Sequence, residues 1–95
     1  MTDLEKAVAY ALRLSEKAAE KLLPTIQRNI DTARAELIRS GVLRSLAESD
    51  SPLVEDAIIT FCLCKMDDES MMERNQEAFR FQEDNLRKST VIQGD

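Results

Sequence analysis

The chain has 95 residues, two Gly, two Pro, one third charged residues and a formal net charge of -5, which describes one small, helical, soluble domain with room for a single core. It contains no His and no Trp, one Tyr and three Phe, so the usual general base, the commonest metal ligand and a base-stacking platform are all missing. Its acidic balance also disfavours direct DNA binding, because phosphate backbones repel it.

Thr2 to Glu5 spells a Thr-x-x-Glu capping box, which opens a first helix. Leu4, Ala7, Val8, Ala11 and Leu12 follow at spacings of three and four and share a face. Residues 15–23 either continue this helix or form a turn and a second short piece. Pro24 predicts a break just before it, since proline inside a helix costs about 3 kcal/mol and at the first helical position costs little.

From Pro24 the stripe Ile26, Ile30, Ala33 and Leu37 predicts an amphipathic helix, with Arg28, Asp31, Arg34, Glu36 and Arg39 facing water. Ser40-Gly41-Val42 predicts its stop: Gly41 takes the left-handed conformation and Val42 packs back on Leu37, as in a Schellman cap. Residues 41–50 form a connection rich in Ser and acid, with Leu43 and Leu46 as its expected anchors.

The central element is Ser51 to Met66. Ser51 suits the N-cap, Pro52 the first helical position, and Glu55 and Asp56 the positive end of a helix dipole. From Ala57 to Leu63 only Thr60 interrupts the apolar run. About four turns is too long for a typical strand. A helix this apolar cannot be covered by one neighbour, so several helices, or partly another subunit, must bury it. Cys62 and Cys64 are two apart on it and diverge; they are expected as buried free thiols, which fits a reducing cytosol.

Asp67-Asp68-Glu69-Ser70 reads as a solvated acidic turn, because it lacks the spacing and the glycine of a Ca loop. A last helix is expected from about Met71 to Lys88. Met72, Phe79 and Leu86 lie seven apart on one thin stripe with Met71, Asn75, Ala78 and Gln82 near it. Arg80 with Asp84, Glu83 with Arg87 and Asp84 with Lys88 are the expected i,i+4 pairs. Phe81 points away from Phe79. The residues 89–95 are expected to be a frayed tail.

The fold class that follows is all-α: a single domain over 1–95, a small antiparallel bundle of about four helices around a central apolar helix. Phe61, Met71, Met72, Phe79 and Phe81 are the candidate contacts with another subunit. No catalytic residue, cofactor or metal site is expected, since there is no phosphate loop, no Cys or His metal pattern and no nucleophile beside a base. Nor is there an N-terminal signal pattern or a long uncharged apolar segment, which disfavours signal-peptide secretion and membrane spanning. Residues 1–44 carry eight basic against six acidic residues, +2, and residues 45–95 five against twelve, -7. If the halves present different surfaces, a head-to-tail contact between copies would pair unlike charge, which suits a closed ring; the alternative is a surface charge that is simply uneven.

Three segments in order carry a resemblance: residues 30–37 closing on Ser40-Gly41-Val42, residues 51–62, and residues 73–79. They read as an Ile-Asp-x-Ala helix closed by Gly-Val, a Pro-Leu-x-x-x-Ala-Ile helix ending in an aromatic and Cys, and a Glu-Arg-containing terminal helix with an aromatic. Together with Leu12-Arg13-Leu14-Ser15, this pattern resembles the small head-tail connector, or adaptor, proteins of long-tailed bacteriophages and prophages, over most of the chain from Leu12 to Leu86. The resemblance implies a structural, non-enzymatic virion protein, made in the bacterial host cytoplasm. It would form a ring, expected to be twelvefold, below the portal protein, on which the stopper or tail-completion protein docks while DNA passes through unbound during packaging and ejection. The alternative from a different class is a small helical regulatory or adaptor protein binding one protein partner.

Overall fold

The computed structural model describes residues 1–93, with side chains through Ser89. Five α-helices follow in order: α1 (Asp3–Ala11), α2 (Glu16–Ser40), α3 (Arg44–Ala47), α4 (Pro52–Met66) and α5 (Met72–Gln93), with a 3-10 turn over Glu69–Met71 before α5. Among the described residues there is no strand. The all-α bundle around a central apolar helix is therefore the observed architecture, with α4 packed against α5, α2 and α1. The molecule measures 46 × 28 × 18 Å, and its thinnest dimension fits two layers of helices, each about 10 Å across.

α1 opens with the full capping box. Thr2 Oγ1 accepts from the Glu5 amide at 3.1 Å, and Glu5 Oε1 accepts from the Thr2 amide at 2.7 Å. Because α1 touches both α4 and α2, its buried face is wider than the expected stripe: Val8 and Ala9 are buried, with Leu4 and Leu12 packed against the core. It ends at Arg13, whose φ of 58° lies in the left-handed region. The Leu14 amide reaches back to the Ala9 carbonyl at 3.0 Å and the Arg13 amide to Tyr10 at 2.9 Å, the two bonds of a Schellman motif built without glycine.

The expected break before Pro24 is not there: α2 runs through it. Ser15 caps the helix, its hydroxyl accepting from the Ala18 amide at 3.2 Å. Ala19 and Ile26, one on each side of the proline and seven apart, are both buried. A single straight helix keeps both in the core. Pro24 and Glu20 are exposed, so the carbonyl deprived of its amide partner lies on the solvent side, where the loss costs least. Beyond Pro24 the expected stripe is observed, with Ile26, Ile30, Ala33 and Leu37 buried. The Schellman end is also observed: Val42 bonds back to Leu37 at 3.0 Å and Gly41 to Ile38 at 3.1 Å, with Gly41 at φ 115°.

The 41–50 connection contains α3. Leu46 packs against the core as expected, beside the buried Val42 and Ala47, whereas Leu43 is 44 % exposed. Arg34, expected in water, instead donates from Nη1 to the Ala47 carbonyl at 2.8 Å and the Ser49 carbonyl at 3.1 Å. It thereby satisfies carbonyls left open at the end of α3.

α4 spans the predicted residues, but Ser51 caps it by position alone, with no side-chain bond to the helix. Val54, Ala57, Ile58, Phe61 and Cys62 are buried along it. α5 is longer than expected: Ser89 to Gln93 continue the helix instead of fraying, and the rest of the expected tail, residues 94–95, lies outside the described residues. Its inner face is Asn75, Phe79 and Leu86, all buried, whereas Met72 and Ala78 are exposed. The ion pair observed on α5 is Arg87 with Asp84, three apart, in place of the i,i+4 ladder. Glu83 lies beside Glu36 of α2.

Candidate functional site

The five candidate contact residues separate into two groups. Phe61 on α4 and Phe79 on α5 are each only 8 % exposed and meet edge to face, with ring centroids 5.3 Å apart and planes at 64°. This pairing takes both out of the contact surface and makes them the joint between α4 and α5. Lys65 Nζ stands 5.3 Å from the Phe61 ring centroid and lays a cation over its face. Met71 is half-buried. Met72 and Phe81 remain at the surface, Phe81 at 69 % exposure, as expected from its place off the stripe.

The sequence stripe did not single out Leu53 or Tyr10, which are exposed at 65 % and 87 %. The signal for Leu53 was available: an apolar residue in the first turn of a nearly all-apolar helix has a place on the core only if that side is covered. Leu53 instead rims a groove of about 400 Å³ between α4 and α5, floored by Leu86 and edged by Asp56, Gln82, Asn85 and Lys88. Within it Gln82 Oε1 is sealed from solvent and has no hydrogen-bond partner among the described residues.

A second, larger cleft of about 730 Å³ lies where α1, α2 and the start of α4 meet, lined by Glu5, Gln27, Asp31, Arg34, Asp50 and Glu55 among others. Glu5, Gln27 and Arg34 among them are engaged in the fold. Glu5 Oε2 accepts from Gln27 Nε2 at 3.1 Å while Oε1 holds the Thr2 amide, and these bonds, the backbone one foremost, hold its carboxyl below the usual range. Arg34 is spent on α3.

Both thiols are free, Cys62 buried and Cys64 half-buried. Burial pushes Cys62 up to about 12 and raises Cys64 as well, which keeps both as poorly reactive thiols. Among the described residues no group of three or more His, Cys, Asp or Glu is placed to hold a metal ion. No described helix is long and apolar enough to cross a membrane. What the surface offers chemically is packing: large apolar side chains on α4 and α5, set in charged surroundings.

No family model, no curated protein and no solved structure matches this chain.

Proposed function

We propose that this protein works by assembly, as a head-tail connector component that forms a ring between a phage portal and the stopper or tail, without catalysis. The observation that carries this reading is the incomplete cover of α4 and α5. Leu53 on α4 and Met72 and Phe81 on α5 stand exposed although the monomer already packs α4 with three other helices. Large apolar side chains left at the surface of adjoining helices are what a protein partner would cover. The order and spacing of the three resembling segments supplies the particular partner class. An acidic wall would let DNA slide instead of gripping it, which suits a conduit.

Purification from infected or induced cells tests the proposal. Portal and stopper proteins are expected to accompany the chain, and particles lacking it are expected to carry heads without tails. A strictly monomeric chain at high concentration by light scattering, combined with normal tail attachment in its absence, would sink the proposal. A one-to-one complex with a single unrelated protein would favour a regulatory adaptor instead.

A further inference from the structure

Where Arg87 of α5 reaches Ser40 at the end of α2, Glu83 and Glu36 lie close enough to act on each other. Glu83 on α5 is half-buried, and its Oε2 is sealed from solvent without a hydrogen-bond partner among the described residues. Glu36 on α2 is engaged by Arg39, whose Nε and Nη2 donate to its two oxygens at 2.8 and 2.7 Å. The other groups around the pair offer Glu83 little. Arg87 on its own helix is paired with Asp84 and aims its second nitrogen at the Ser40 carbonyl, 3.5 Å away. The Ser40 hydroxyl also reaches Glu83, but it donates to the Leu37 carbonyl at 2.8 Å. Lys65, from α4, acts on Glu36. A sealed carboxylate oxygen whose neighbour is another carboxylate is satisfied by a proton held between them.

We propose that Glu36 and Glu83 share one proton and that this carboxyl pair is a latch fastening α5 to α2, which opens when the proton leaves to solvent. Opening exposes two like charges to each other across the crossing, where the long Arg87 to Ser40 contact also joins the helices. Burial first, and Glu36 second, raise Glu83, while Arg39 keeps Glu36 low, so Glu83 carries the proton and Glu36 the charge. The sign follows. An acid raised by folding contributes stability that is complete below the ordinary value of 4.5 and is lost as pH climbs from there through the folded value. The latch is therefore closed in acid and loose above that window. It stands independently of the connector reading.

The test is hydrogen exchange of the α5 amides in the full chain as a function of pH, expressed as protection factors, for the wild type and for Glu83→Gln. In the wild type, protection is expected to fall by up to about tenfold per pH unit across the window. In Glu83→Gln, whose amide stays uncharged and donates to Glu36, protection is expected to stay flat. A flat wild-type profile, or an unchanged slope in the variant, overturns the proposal. Carbon-13 titration of the wild-type carboxyl groups decides independently of any variant's folding. A Glu83 midpoint above 4.5 supports the latch, and one at or below it overturns the latch.

Discussion

Phe61 and Phe79 meet edge to face across the α4–α5 joint, with centroids 5.3 Å apart. Such a contact adds roughly 0.5–1.5 kcal/mol to the burial of the two rings. Phe79→Ala is expected to cost about 3–5 kcal/mol, the range for emptying a buried aromatic site. Urea denaturation measures it as a lower midpoint at unchanged slope. Phe81, two residues along and 69 % exposed, is the internal control: Phe81→Ala is expected to change stability by no more than about 0.5 kcal/mol. If Phe81 serves assembly, the same change weakens self-association or partner capture while leaving the fold intact.

Arg34 is expected to matter to the α2–α3 corner beyond its charge. Its Nη1 bonds two carbonyls at once, and hydrogen bonds to charged groups are worth about 1.5–3 kcal/mol. Arg34→Met keeps most of the stem and removes the fork, so it should destabilise by about that amount. Arg34→Lys should recover only part, because an ammonium cannot reproduce the guanidinium geometry. Equal stability of the Met variant and the wild type would remove the cap from the account.

The backbone at two helix ends makes opposite demands. Gly41 sits at φ 115°, and a Cβ there would meet Arg87 Cδ at 3.6 Å, an ordinary contact, so Gly41→Ala pays in conformation: about 1–2 kcal/mol. Arg13, at φ 58°, already bears that strain. Arg13→Gly is expected to stabilise by up to about 1 kcal/mol, or about 4–8 °C in Tm for a domain of this size. Thermal unfolding of the two variants should move in opposite directions.

Much of this architecture was legible from local chemistry. The capping box at Thr2 and Glu5, the stripe Ile26 to Leu37, the Gly41 stop and the central helix from Pro52 each declare themselves within one or two turns of chain, and each is observed. What was not legible depends on partners far along the chain. Continuity through Pro24 follows from Ala19 and Ile26 sharing a core face, a gain that the helix propensity of proline does not contain. The inward turn of Arg34 depends on where α3 ends, and that of Glu83 on where α5 crosses α2. For the candidate surface, aromatic type alone could not separate Phe61 and Phe79, which find each other, from Phe81, which stays 69 % exposed.

Pro24 offers a direct measure of that tertiary override. An interior proline is penalised by about 3 kcal/mol against alanine, of which about 0.4–1 kcal/mol is returned because proline stiffens the unfolded chain. Pro24→Ala is therefore expected to stabilise by up to about 2 kcal/mol. A gain near that figure in denaturation midpoint would mean that the native helix carries the full penalty, and no gain would mean that α2 has adapted to the ring.

Glu5 makes the start of α1 sensitive to acid in the opposite sense to Glu83. Its folded value is depressed, first by the Thr2 amide and further by Gln27 and the Thr2 hydroxyl. An acid lowered by folding contributes stability that is present above 4.5 and is lost as pH falls from there through the folded value. Protection of the α1 amides should accordingly decline on acidification over that window. Glu5→Gln retains a side chain that can accept from the Thr2 amide, and it removes the titration, so its protection should be flat over the same range. Because α1 packs on both α2 and α4, its loosening in acid occurs where the α2–α5 latch is closed. The α1–α2 and α2–α5 contacts are thereby set to respond to pH in opposite directions, and exchange measured at both in one titration separates them.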